Sequence, residues 1–332
     1  MIRHLYIEEA VTTHPRVQQI CERYPKAARI VCERYGQVFN RKAQSFRLQK
    51  SQPSMILAQK FDGFVLPAPP GYGVGSQCNY YFSHMLNCIY DCRYCFLQGM
   101  YRSAHYVVFV NYEDFVHVLD EIITRHDGSN IWFFSGYDCD SLALEPVTGF
   151  VDFILPVFES RPSAYLELRT KSTQVRLLCA REPLPNVVVA FSFTPEEISL
   201  ALEHKVPSVS SRIEAMLQLQ ERGWNLGLRF DPIIYTDAYR EQYERLFCQV
   251  FDRLKIDSLR SVSLGAFRLP KQFHINMLRS YPEEPLFAGP LNNIDGMIGY
   301  RKELVAEMMG YCEEHLLKYI PRDIYFPCEV TT

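Results

Sequence analysis

Asn87-Cys88-Ile89-Tyr90-Asp91-Cys92-Arg93-Tyr94-Cys95-Phe96-Leu97-Gln98 sets three cysteines within eight residues, at C-x3-C-x2-C spacing. Three thiolates this close can wrap one face of a [4Fe–4S] cube, whose irons are usually each held by a cysteine. Three ligands leave one iron open to a small molecule carrying an amine and a carboxylate. Tyr94, just before the last cysteine, can lie against an adenine. Two blander readings compete. A structural zinc site needs four protein ligands, and Cys78 or His84 could supply the fourth. Alternatively, these are three unrelated buried cysteines.

Working outward, the motif stands just ahead of a regular alternation. Strands are predicted over Tyr106–Asn111, Asn130–Ser135, Tyr165–Thr170, Val187–Phe193, Asn225–Phe230 and Arg260–Gly265, from β-branched and apolar runs. Helical spacing follows over Glu113–His126, Glu145–Glu159, Ser208–Arg222, Tyr239–Lys255 and Lys271–Arg279. Such alternation implies right-handed βαβ units and a parallel sheet. Six units suggest an α/β fold built on a partial (β/α)6 barrel, with reactive groups at the carboxyl ends of the strands. The expected organisation is an N-terminal extension over residues 1–75, the barrel over 76–280, and a C-terminal extension over 281–332. The lead-in to about Pro70 reads as irregular, with a strand starting at Tyr6-Ile7 and helical stretches between Pro15 and Tyr35. Leu66–Gly73 is Pro/Gly-rich and reads as a loop. Past Tyr281 the pattern specifies no packing.

Composition narrows the function classes. The 332 residues are 48% hydrophobic and 22% charged, ordinary for a soluble globular protein. A net charge of -3 argues against wholesale coating of nucleic acid, which needs a basic face. There is no apolar run of transmembrane length and no apolar signal-peptide core, so the expected location is the cytoplasm, with no membrane partner. In a reducing compartment the eleven cysteines read as buried hydrophobes, metal ligands or catalysts rather than staples. Cys21, Cys32, Cys179, Cys248, Cys312 and Cys328 lack metal spacing and read as buried or idle. Arg229, in an otherwise apolar strand, needs an anion: a ligand, or a structural partner such as Asp231 or a nearby glutamate, with the structural pair favoured. Arg268, Lys271, His274, Arg279 and Arg301, with Tyr281 and Tyr300, could track a phosphate backbone and stack on bases, or simply form a solvated face.

The three-cysteine spacing with Tyr94, ahead of a six-unit β/α domain, resembles radical S-adenosylmethionine enzymes. From Tyr6-Ile7-Glu8 to about Tyr300 the chain is similar to one member, the spore photoproduct lyase family. The similarity is carried by Cys92–Gln98, Leu144-Glu145-Pro146-Val147-Thr148-Gly149, Arg169-Thr170-Lys171, Phe191-Ser192-Phe193, Arg212-Ile213-Glu214-Ala215 and Asp231–Tyr235. The resemblance implies a [4Fe–4S] cluster on Cys88, Cys92 and Cys95. It also implies S-adenosyl-L-methionine cleaved to a 5′-deoxyadenosyl radical, which opens a methylene-bridged thymine dimer in DNA to two thymines. Lys171 and Ser192 would hold the cofactor's carboxylate and ribose region, with Tyr94 beside it and Ser135 and Gly136 near its amino group. Damaged DNA and an electron donor such as a flavodoxin or ferredoxin are the implied partners.

The sequence departs from that family at two places. The family's hydrogen-donating cysteine after the second strand is Tyr137 here, with Cys139 two residues on. The tyrosine that follows the last cluster cysteine in the family is Phe96, which cannot donate. Cys139, Tyr137 and Tyr94 are therefore the candidate hydrogen-transfer residues. Asp138 and Asp140 flank Cys139 and favour its neutral thiol, as a hydrogen-atom donor requires; the alternative is a loop cysteine of no consequence. Around Ile294–Arg301, only Gly296, Gly299 and Tyr300 match the hairpin with which the lyases pry the duplex apart. Two other functions stay open: a radical enzyme of this fold acting on another nucleotide or a peptide, and a zinc-containing nucleic-acid-binding protein.

Overall fold

The computed structural model describes residues 2–126 and 129–328. Six strands form the parallel sheet that the alternation demands: Cys78–Phe82, Ile131–Ser135, Ala164–Thr170, Val187–Ser192, Asn225–Ile233 and Leu259–Ala266. They lie side by side in chain order, with Val65–Pro67 antiparallel on the outer edge of Cys78–Phe82. Sequential parallel strands joined by right-handed crossovers collect their helices on one face. The edge strands Leu259–Ala266 and Val65–Pro67 do not pair with each other among the described residues, so the barrel is a partial, open one, and the sheet's other face is left for a site. Val187–Ser192 is buried at every position, as a strand covered on both faces should be. Tyr112–Arg125 buries Tyr112, Phe115, Leu119 and Ile122, a single stripe at helical spacing. No helix among the described residues is long and apolar enough to cross a membrane.

The first strand is not the expected one. Tyr106–Phe109 belongs to a second sheet, ordered Ala28–Cys32, His4–Glu8, Met55–Ala58, Tyr106–Phe109, Met85–Leu86. The barrel begins instead with Cys78–Phe82, so the cysteine motif follows the first barrel strand rather than preceding it. The reason is burial. Tyr106–Phe109 is wholly buried and reads as a core strand of either sheet, whereas Cys-Asn-Tyr-Tyr-Phe is half-buried and offers no apolar run. The lead-in is likewise not irregular. Pro15–Arg23 is a helix capped by His14 Nδ1, and Ala28–Cys32 is a strand where helix was expected. That strand is an exposed edge, apolar at all but Arg29 yet with no alternation to mark it as a strand. The helix expected over Glu145–Glu159 is broken into Glu145–Thr148 and Phe150–Glu159 at Gly149, whose φ of 61° is left-handed.

The C-terminal part is ordered around the mouth of the barrel. Leu291–Ile294 and Met297–Tyr300 form a hairpin through Asp295-Gly296, both at positive φ, and Arg268–Pro270 adds a third strand. The helix Lys302–Leu316 buries Met308, Cys312 and Leu316. Beyond it the chain runs along the last barrel strand: Phe326 N–H donates to Val262 O at 2.9 Å and Cys328 N–H to Leu264 O at 2.7 Å.

Candidate active site

The carboxyl ends of the barrel strands open onto a cavity of about 770 Å³. Cys88, Cys92 and Cys95 lie in its wall with Tyr94, Gly136, Tyr137, Cys139, Lys171 and Ser192. The cysteine loop is anchored by backbone. Asp91–Cys92 pairs antiparallel with Glu203–His204, and Arg93 N–H donates to Leu202 O at 2.8 Å. Burial pushes the Cys88 thiol up to about 12 and the Cys92 thiol well above its ordinary value, and the thiols' mutual repulsion adds to both. A buried group of three sulfurs therefore needs a cationic centre to hold it as thiolate, and an iron–sulfur core is such a centre. Among the described residues, no three His, Cys, Asp or Glu groups are placed to hold a single metal ion. Three sulfurs on one cavity wall can give one thiolate to each of three irons of a cube, whereas a structural zinc needs four protein ligands.

Neither proposed fourth zinc ligand joins them. Cys78 Sγ lies 3.6 Å from His126 Nδ1, on the strand below the site, and does not line the cavity. His84 is stacked on Phe150 with ring centroids 4.1 Å apart, and burial lowers its pKa to about 3.

Behind the cavity one buried carboxylate organises the cofactor-binding candidates. Glu203 accepts from the Tyr94 hydroxyl, from Ser199 Oγ at 2.8 Å and from Arg212 Nη2 at 2.7 Å, and pairs with Lys171 Nζ at 2.9 Å. Burial alone would raise its pKa; the Lys171 and Arg212 charges outweigh that and hold it well below the usual carboxylate range. Arg212 Nη1 also donates to Ser192 O at 2.8 Å, so Lys171, Tyr94 and Ser192 are tied to one hub. Asp140 fixes the opposite wall. Its carboxylate accepts from Thr170 Oγ1 and Lys171 N–H, both at 2.7 Å, and from the N–H groups of Leu142 and Ala143. It thereby locks the loop that carries Cys139 to the end of Ala164–Thr170. Gly136 turns the chain off Ile131–Ser135 at φ +82°, and an added Cβ would sit 2.6 Å from Ser141 Oγ. Ser135, expected beside it in the site, is buried, and its Oγ does not reach the cavity wall.

The hydrogen-transfer candidates divide. Cys139 is buried at the cavity wall, and burial, with Cys88 and the flanking aspartates, raises its pKa well above the ordinary thiol value. It is thus a neutral S–H. The Tyr137 ring sits 4.2 Å from Tyr81 and 5.5 Å from Phe96, so the two departures from the family pattern pack on each other. Tyr94 also reaches the cavity, with its hydroxyl committed to Glu203.

Arg229 is the structural member of an ion pair, as favoured. It donates to both Glu167 oxygens, at 3.1 and 2.5 Å, and to Ser261. Of the late basic residues only Arg268 lines the cavity; Lys271, Arg279 and Arg301 are exposed. Tyr281 and Tyr300 are buried, Tyr281 beneath Arg93 and Tyr300 accepting from Tyr235 N–H, so neither is free to stack on a base. Three participants escaped the sequence reading. Glu203 carries no local motif, and Arg212 lies in the family-like stretch Arg212–Ala215 with no role read for it. Cys328, read as idle, reaches the cavity wall, where Arg268 Nη2 lies 3.3 Å from its sulfur.

A family model described as spore photoproduct lyase matches residues 76–286. The spore photoproduct lyase of Clostridium acetobutylicum is 22% identical over 179 residues, covering 54% of this chain and 53% of that protein. That of Bacillus subtilis is 22% identical over 202 residues, 60% of this chain and 59% of that protein. The chain thus aligns over little more than half the length of these curated relatives. A spore photoproduct lyase mutant solved with bound AdoMet and dinucleoside spore photoproduct superposes with a TM-score of 0.85 at 17% identity, covering 100% of this chain and 99% of that one. A lyase complexed with dinucleoside spore photoproduct gives 0.83 at 18%, with the same coverage. At these identities the structural likeness establishes the fold, mixed α/β of the lyase type.

Proposed function

Since the chain belongs to the spore photoproduct lyase family, we propose that it is a radical S-adenosylmethionine lyase that returns a thymine photoproduct in DNA to thymines. The observation that carries this reading is the single cavity. It gathers Cys88, Cys92 and Cys95, a lysine and a serine at two strand ends, and a neutral buried thiol. When bound, a [4Fe–4S] cluster with S-adenosyl-L-methionine would supply a 5′-deoxyadenosyl radical there.

The chain's own residues would do the rest. Cys88, Cys92 and Cys95 hold the cluster. Lys171 presents a point charge to the cofactor's carboxylate, oriented by Glu203. Ser192 faces its ribose region, Tyr94 lies along its adenine, and the tight turn at Gly136 leaves room for its amino group. Cys139, neutral and at the wall, returns a hydrogen atom to the substrate, with Tyr137 as the second donor in reach of the cavity. Tyr72, Tyr81, Phe96 and Tyr137 offer the aromatic surface on which an extruded base stacks. Damaged DNA and a flavodoxin- or ferredoxin-type donor are the proposed partners, and the cytoplasm the proposed location.

The test is anaerobic. The cluster is reconstituted, and dithionite, S-adenosylmethionine and a methylene-bridged thymine dinucleotide are added. Thymine products and 5′-deoxyadenosine are then followed together by chromatography. Both products rising together establish the reaction. The packing of Tyr137 on Phe96, where the family places hydrogen carriers, favours a second reading with another nucleotide or peptide substrate. Cofactor cleavage without thymine would select it.

A further inference from the structure

The thiol group of the cavity has a cation beneath it that neither the motif nor the resemblance assigns. Lys50 lies on the short helix Phe46–Ser51 and is only 5% exposed. Its Nζ donates to Cys88 O at 2.9 Å and to Tyr90 O at 2.8 Å, both inside the cysteine loop. Lys205 Nζ, from the segment that follows Glu203–His204, donates to Lys50 O at 2.9 Å and fixes the helix end. Burial lowers the Lys50 pKa, and the negative groups that oppose this are Asp91 first and then the Cys88 and Cys95 sulfurs. Lys171 acts on the Cys92 and Cys95 sulfurs, with its ammonium paired to Glu203 at 2.9 Å. The Lys50 hydrogen-bond partners are uncharged carbonyls and no carboxylate among the described residues forms an ion pair with it, so as the ammonium it places a positive charge beside the thiols as well as beside Asp91.

We propose that Lys50 is a positioning residue that sets the charge balance, and so the reduction potential, of an iron–sulfur cluster held by Cys88, Cys92 and Cys95. The proposal rests on the cluster reading above. A fixed buried cation stabilises the state that carries the additional electron, and outer charges and hydrogen bonds are among the levers by which a protein tunes such centres. Lys50 also clamps the first turn of the loop through two carbonyls, which keeps Cys88 in register with Cys92.

The experiment compares the full-length parent with Lys50→Gln and Lys50→Arg after anaerobic reconstitution, without S-adenosylmethionine or substrate. Iron and sulfide per chain are measured, then the midpoint potential by spectroscopic redox titration. Lys50→Gln keeps a donor but no charge, and its potential is expected to move to more negative values. Lys50→Arg restores the charge, and its potential is expected to stay near the parent's. A parent-like potential in a cluster-loaded Lys50→Gln overturns the proposal. If Lys50→Gln fails to retain iron and sulfide, retention by Lys50→Arg supports the charge; loss in both overturns it. A parent that takes up no iron and sulfide overturns the cluster reading itself.

Discussion

Glu203→Gln is the most informative single change in this chain. The carboxylate is fully buried and compensates two cations, Lys171 at 2.9 Å and Arg212 at 2.7 Å, both themselves largely buried. Glutamine preserves the volume and can still accept from Tyr94 or Arg212. It cannot neutralise either cation. Removing one partner of a buried ion pair typically costs about 3–5 kcal/mol, because the remaining charge stays desolvated. Unfolding entropy near 60 °C is about 2.1 cal/mol/K per residue. For 332 residues that is ~0.7 kcal/mol/K, so Tm should fall by ~4–7 °C. The assay is thermal denaturation of the cluster-free protein at pH 7.5 and low salt. Glu214→Gln is the control, since the Glu214–Arg253 pair is exposed and should give no resolvable shift. The same Glu203 variant, once loaded with cluster, should bind S-adenosylmethionine more weakly, because Lys171 loses the contact that aims it. A Tm within one degree of the parent would refute the reasoning: the two cations would then be solvated or paired elsewhere.

Other outcomes follow from the same geometry. Cys92→Ala should abolish both iron retention and 5′-deoxyadenosine formation, and normal 5′-deoxyadenosine production by this variant would end the cluster assignment. Cys139→Ala should leave cofactor cleavage intact while thymine yield drops; if Tyr137→Phe has that effect instead, the donor is the phenol. His84 is neutral in the fold, with a pKa lowered to about 3 by burial, against 6.5 in the unfolded chain. Between those values the unfolded state binds the additional proton, so stability rises with pH across that window and is lost on acidification. His84→Phe should therefore flatten the stability profile between pH 6.5 and 4, as urea titrations at a series of pH values would show. Gly136→Ala, forced to φ +82° against Ser141, should lower stability and disturb S-adenosylmethionine binding together, whereas Gly310→Ala, inside the helix Lys302–Leu316 with open space around it, should raise stability slightly and leave binding unchanged.

Much of this molecule is local. Five of the six barrel strands are legible because each is an apolar run flanked by helical spacing, and their order follows from chirality once they are parallel. The cysteine motif is legible because its spacing is a property of eight consecutive residues; Lys171 and Ser192 are singled out only through the family resemblance, and both lie on the cavity wall. What lies between distant segments is not local. Periodicity cannot say which of two sheets takes the buried strand Tyr106–Phe109, so the first barrel strand was misplaced. Nothing in its neighbourhood distinguishes Glu203 from any surface glutamate. It becomes the hub only when antiparallel pairing sets it against Cys92, 111 positions away in the chain. Lys50 and Cys328 reach the site from opposite ends of the sequence in the same way. The sequence by itself determined the fold type and the family, because both are written in short-range pattern. Only the tertiary structure decided which charges neutralise one another around the thiols, because desolvation and Coulomb energy depend on distances that the chain order does not contain.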